Sequence, residues 1–154
     1  MKYWLMKSEP STFGIDDLER APKRTTGWDG VRNYQARNMM RDDFAKGDLA
    51  FLYHSSCEVP GIVGVMKVTR PGYPDETAFD RKHDHYDPDS RRDEPRWYMV
   101  DVQLQKRFSR CISLEMLRAH ATRELAGMQL LRTGNRLSVM PVDAAQWNFI
   151  LTLE

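Results

Sequence analysis

The chain has 154 residues and 18.0 kDa, the size of one domain, and its 23 basic and 22 acidic residues leave a net charge of +1, which excludes a charge-rich disordered tail. Its two cysteines, Cys57 and Cys111, lie outside any CxxC pair, so they exclude a disulfide framework and suit reduced thiols in a cytoplasmic protein. The apolar stretch from Tyr3 to Met6 is far shorter than the ~7–15 residues of a signal-peptide core or the ~20 of a membrane helix, so neither export nor a membrane span is expected.

Trp4 to Lys7 reads as a short strand ended by Ser8-Glu9-Pro10. Ile15 to Arg20 follows as a short helix with Asp16 and Asp17 in its first turn, where carboxylates favour the positive end of the dipole. Pro22 to Gly30 is loop-like. Asn33 is an N-cap for a helix over Tyr34 to Phe44, with Met40 and Phe44 four apart on one face. Gly47-Asp48 turns the chain into a strand over Leu49 to His54, and Ile62 to Thr69 returns as its hairpin partner.

Residues 71–96 are rich in Pro, Asp and Arg, and a polar stretch of that length inside a compact domain is more often a functional loop than a linker. Trp97 to Leu104 alternates as a strand. Ser113 to Ala119 and Thr122 to Ala126 read as short helices, Arg136 to Val142 as a strand, and Asp143 caps a last helix through Trp147 and Ile150. Strands interleaved with short helices predict an α+β domain around a small, mostly antiparallel sheet or barrel. Neither a GxGxxG turn nor a GxxxxGK[ST] loop is present.

The near-zero net charge conceals a pattern. Residues 20–41 carry six bases and one acid, and residues 103–136 carry seven bases and two acids, so each segment is +5. Residues 75–94 carry four bases and eight acids, for −4. Basic segments of this kind can meet phosphates locally or can be solvated faces. His83-x-His85 is a single local pair, whereas zinc sites built from such pairs show two, so no metal and no cofactor are expected. His54 and Cys57 lack an aligned third group, which argues against a thiolate nucleophile, and no catalytic residue is assigned.

The informative set is aromatic and polar together at the ends of strands: Lys7-Ser8, Trp28 through Tyr34, Tyr53-His54-Ser55, and Trp97. Such groups stack on a base or read its edge. Trp28 sits in a polar loop, where a core role is less natural than for Trp4 or Trp147. Gly27 and Gly30 beside it would let the backbone approach a ligand closely.

At these residues the chain resembles the EVE domain family. The matching blocks are Trp4-Leu5-Met6-Lys7-Ser8-Glu9-Pro10, Trp28-Asp29-Gly30-Val31-Arg32-Asn33-Tyr34-Gln35-Ala36-Arg37-Asn38 and Tyr53-His54-Ser55. Pro60-Gly61-Ile62-Val63-Gly64, Tyr86-Asp87-Pro88, Arg96-Trp97 with Val100-Asp101-Val102, and Arg136-Leu137-Ser138-Val139 with Pro141-Val142 follow in order. The resemblance implies one domain over residues 1–154 with a PUA-like pseudo-barrel ringed by helices, related to YTH domains. It also implies a reader of a modified base in DNA or RNA.

On that reading the ligand-binding residues are Lys7, Ser8, Trp28, Val31, Arg32, Asn33, Tyr34, Tyr53, His54, Ser55 and Trp97. Trp28 stacks on the base, Asn33, Ser8 and Ser55 read its edge, and Lys7, Arg32, Arg37 and Arg41 meet the nucleic-acid backbone. The alternative is an enzyme acting on a modified nucleoside or base.

Overall fold

The structure is a computed structural model and describes residues 1–154. Its frame is one six-stranded sheet in the order β2-β5-β4-β3-β1-β6. β1 (Tyr3–Ser8) lies between β3 (Leu49–His54), to which it runs parallel, and β6 (Val139–Val142), to which it runs antiparallel. A strand flanked on both sides and packed on both faces should be apolar without alternation, and Trp4, Leu5 and Met6 are consecutively buried.

β4 (Gly61–Pro74) and β5 (Tyr98–Ser113) are longer than their apolar cores predict. β4 runs on through Pro71 because the pairing breaks register between Arg70 and Tyr73, where a missing N–H is tolerated, and it ends at Pro74. β5 runs on through a charged stretch because Phe108 and Ile112 still point into the core while Lys106, Arg107, Ser109 and Arg110 stay exposed. The short strand β2 (Thr25–Gly27) pairs with β5 and forms one edge of the sheet.

The helices are short. α1 (Ile15–Arg20) buries Ile15 and Leu18, and its first N–H is taken by a side chain from β3: Ile15 N donates to His54 Nε2 at 3.1 Å. α2 (Tyr34–Asn38) is capped by Asn33 Oδ1, which accepts from Ala36 N at 2.9 Å. The expected helix to Phe44 changes at Met39–Asp43 into a π-helical turn, with Phe44 already extended. α3 (Leu114–Arg118) has Ser113 as its cap, and α4 (Ala144–Leu151) has the Asp143–Gln146 capping box. Thr122 to Ala126 forms turns rather than a helix, and the last strand starts at Val139, not Arg136.

A core cluster of 33 buried residues fills the space between sheet and helices. Trp147 stacks on Phe51 at 3.8 Å between centroids, and Trp4 stacks on Phe44 at 4.2 Å. Trp4 Nε1 also donates to buried Asp48 at 3.0 Å, so its polar handle is satisfied inside. Both tryptophans take the core role expected of them. No helix is long and apolar enough to cross a membrane. Cys57 and Cys111 are both free thiols.

Candidate nucleic-acid interface

A cleft of about 480 Å³ opens where the end of β1, the turn before α1, the β2 edge and the loop at residues 83–85 meet. The turn is held by Ser8, whose Oγ donates to the Phe13 carbonyl at 2.5 Å. On the opposite wall, Trp28 N donates to Val100 O at 2.7 Å and extends the β2–β5 ladder by one residue. Trp28 is therefore anchored at the sheet edge, 7% exposed, a member of the core and a wall of the cleft at once.

The third wall is brought in by a buried carboxylate. Asp75, fully buried, accepts from Gly30 N at 2.9 Å, Thr77 N at 2.9 Å, Thr77 Oγ1 at 2.6 Å and Arg32 Nη1 at 3.0 Å. Burial alone would raise its pKa. The hydrogen bonds from Thr77 and Gly30 and the Arg32 guanidinium outweigh that and hold the carboxyl below its ordinary value.

Arg32 turns its other nitrogen to the His85 carbonyl at 2.6 Å, which ties the Trp28 segment to the 83–85 loop. Its guanidinium lies over Trp97, 5.3 Å from the ring centroid. Trp97 Nε1 in turn donates to Asp87 at 2.6 Å. That bond from Trp97 is the main cause holding the Asp87 carboxyl below its usual range.

Inside the cleft, His85 Nδ1 is buried without a hydrogen-bond partner and stands 3.8 Å from Asp29 Oδ1. His83 Nδ1 accepts from His85 N at 3.0 Å, and the two rings are 4.8 Å apart. Asp29, His83 and His85 place one ligand atom each within 4.8 Å of one another, the one such group in the chain that could hold a metal ion. The sequence pattern lacked a second local pair, but the third donor comes from Asp29, far away in sequence. Lys7, half-buried at the cleft edge, has its pKa lowered by burial.

The structure brings together three of the residues singled out from sequence, Lys7, Ser8 and Trp28. The others divide. Tyr53 is buried in the core with Lys7 Nζ 5.7 Å over its ring, and it lines a neighbouring cleft. Val31 is core. His54 caps α1, and burial lowers its pKa, which suits an acceptor nitrogen. The Asn33 side chain is engaged as the α2 cap, so the helix start is closed by the chain itself.

Ser55 is half-buried and its N donates to Ser8 O at 3.0 Å. Tyr34 is 53% exposed and stacks on Trp97 at 5.0 Å, outside the cleft lining. Arg37 donates to the Arg96 carbonyl, and Arg41 pairs with Asp42 at 2.8 Å. Gly27 lines the cleft, but the space beside both glycines is taken by the protein itself. A Cβ on Gly27 would meet Met99 Cε at 2.4 Å, and one on Gly30, whose φ is +78°, would meet the His85 ring at 2.3 Å. Protein side chains fill that space. Sequence reasoning passed over Phe13, Thr26, Asp29, His83 and His85 as binding residues, although His83-x-His85 was visible as a pair.

An α+β sheet with an aromatic and polar cleft at one strand end defines a small ligand-binding module. The EVE domain model matches residues 2–153, and the chain belongs to the EVE domain family. It is 48% identical to thymocyte nuclear protein 1 of Mus musculus, covering 99% of this chain and 73% of that protein. It is 45% identical to the Homo sapiens protein of that name, again over 99% of this chain and 73% of that one.

Among solved structures it is similar to human THYN1 protein in complex with 5-methylcytosine-containing DNA, with a TM-score of 0.94 and 43% identity over 99% of this chain and 97% of that one. A Pseudomonas putida protein superposes with a TM-score of 0.92 and 45% identity over 98% of both chains. The mouse and human relatives overturn the expected cytoplasmic location: they are named thymocyte nuclear protein 1, and human THYN1 protein is solved in complex with DNA.

Proposed function

We propose that this chain is one EVE domain that binds DNA carrying a modified cytosine, holding the flipped base in the Trp28 cleft without chemical turnover. The observation that carries this is the close structural likeness to human THYN1 protein, which is solved with 5-methylcytosine-containing DNA. The cleft's chemistry supports it. Its volume of about 480 Å³ falls in the ~300–1,000 Å³ range of small-ligand sites, enough for one base. A cytosine offers its N4 amino group as a donor, and a carboxylate such as Asp29 is its usual acceptor. Trp28 and Phe13 provide apolar wall for a 5-methyl group, and His85 Nδ1 is a buried polar atom in want of a partner.

Extruding a base costs a few kcal/mol of unstacking, and stacking returns ~1–3 kcal/mol per base. One methyl in an apolar pocket adds only ~1–3 kcal/mol, so discrimination is modest. RNA carrying a modified base is the second polymer the same cleft suits.

The test is a thermal-shift panel of cytidine, 5-methylcytidine and 5-hydroxymethylcytidine nucleosides and matched short oligonucleotides, with products read by mass spectrometry. Stabilisation that is larger for the methylated member, with the oligonucleotide recovered intact, is the expected result. A cleaved or demethylated product would replace the binding reading by the enzyme alternative.

A further inference from the structure

Two further clefts, of about 500 and 320 Å³, adjoin along the loop after the 3-10 turn Gln129–Leu131 and share Arg132, Thr133, Gly134 and Asn135. The first of them also shares Lys7 with the Trp28 cleft. The three concavities therefore form one path that begins at the end of β1.

The charge in the two clefts beyond the Trp28 cleft is one-sided. Lys7, Arg118, Arg132 and Arg136 line its outer two clefts, and no Asp or Glu does. None of the four cations has a carboxylate within 4.0 Å. A neighbouring cleft that shares Leu114 and Arg118 is lined by Glu58 and Glu115, neither of which pairs with Arg118. Four lining cations that no carboxylate pairs with are the complement of a polyanion.

The loop is also set in place. Arg132 Nη1 donates to Gln129 Oε1 at 2.8 Å and Nη2 to the Gly127 carbonyl at 3.3 Å, so its guanidinium is held by neutral acceptors that leave its charge whole. Asn135 Oδ1 accepts from Gln129 Nε2 at 3.3 Å and from Leu137 N at 3.3 Å, closing the loop on itself. Gly134 has φ +77° with open space where a Cβ would stand. These contacts restrict the loop before any ligand arrives, which lowers the ordering cost of binding.

We propose that Lys7, Arg118, Arg132 and Arg136 form the track for the phosphodiester backbone of the DNA strand whose base enters the Trp28 cleft. The inference rests on the base-binding reading for its direction, since Lys7 joins base cleft and track. It displaces Arg37 and Arg41 as the backbone contacts.

The experiment is a titration of a fluorescein-labelled single strand with one central 5-methylcytosine, and its unmethylated twin, at a series of salt concentrations. The proteins are wild type, Arg132→Ala, Arg136→Ala, the double variant, Arg132→Lys and Arg41→Ala. Each lost phosphate contact on single-stranded DNA should reduce the slope of log affinity against log salt by ~0.7. The double variant should lose about twice that, equally for both oligonucleotides, so that their affinity ratio is unchanged.

Arg132→Lys should keep the slope and so separates charge from fold, and Arg41→Ala should keep it as well. An unchanged slope in the double variant, or an equal loss in Arg41→Ala, overturns the track. A slope that falls as expected while wild type shows no preference for the methylated strand supports the track and sinks the base reading.

Discussion

Two segments of this protein carry the same net charge of +5 in sequence, residues 20–41 and residues 103–136, and the fold puts their arginines to different uses. In the first, the Arg32 charge is matched by Asp75 and the Arg41 charge by Asp42, Arg37 donates to the Arg96 carbonyl, and Arg20, Lys23 and Arg24 stay exposed. In the second, Arg107 and Lys106 pair with acids, but Arg118, Arg132 and Arg136 are left without any. What a basic run can do for a ligand depends on the carboxylates and carbonyls that the fold carries to it. Asp75 reaches Arg32 from 43 residues away. Arg32 builds the cleft from within, whereas Arg118, Arg132 and Arg136 present charge outward.

The sharpest way to break this contrast is to unbuild the first segment. Trp28→Ala removes a side chain 7% exposed and should lower the unfolding free energy by ~3–5 kcal/mol in urea. A loss below ~1 kcal/mol would return Trp28 to a loosely held loop. Trp28→Phe, which preserves most of the buried surface, should fold and bind the methylated base more weakly.

Arg32→Met should cost about 3 kcal/mol, because it leaves Asp75 buried without its cation. The pH dependence carries a sign. A carboxyl whose folded pKa lies below its unfolded value of ~3.9 adds stability that is fully present above that pH and lost as pH falls through the folded pKa. In Arg32→Met that increment shrinks, so acid unfolding monitored by circular dichroism should begin at higher pH than in wild type. Coincident acid profiles would show that Arg32 does not hold the Asp75 charge.

Asn33→Ala should lose ~1 kcal/mol as a missing helix cap and leave DNA affinity where it was, which separates its capping role from base reading. A fall in affinity without a fall in stability would put Asn33 back in the site. The smallest effect concerns His54, whose pKa is lowered by burial, with Asp16 opposing and Arg107 reinforcing the shift. Here the stability is intact above the unfolded value of ~6.5 and declines as pH falls toward the lower folded value. His54→Gln should flatten that decline in urea midpoints between pH 7 and 5.

Much of the frame was legible. The runs Trp4–Met6 and Leu49–Tyr53, the Asn33 and Asp143 caps, and the core roles of Trp4 and Trp147 all follow from local pattern. The extensions of β4 and β5 were not legible, since bulges let Pro71 and charged residues sit in strands that the alternation rule would end.

At the site, Lys7, Ser8 and Trp28 could be found because each sits at the end of a strand beside polar residues. Asp29, His83 and His85 could not be joined from sequence, because the Asp75–Arg32 contact that folds their two loops together is long-range. Residues such as His54 and Asn33 read as binding groups because a side chain that can read a base can equally satisfy a helix N-terminus. What fills the space beside the glycines at Trp28 was not legible either, since Met99 and His85 come to it from far along the chain.

The central claim, that the Trp28 cleft receives the modified base while the Arg132–Arg136 loop meets only the backbone, is tested most directly by NMR. 5-Methyl-2′-deoxycytidine, a nucleoside without phosphate, is titrated into the ¹⁵N-labelled chain. Shifts at the amides of Gly27, Trp28, Asp29 and His85, with none at Arg132 to Asn135, are the predicted result. Shifts confined to the Arg132–Asn135 loop, with the Trp28 cleft silent, would contradict it.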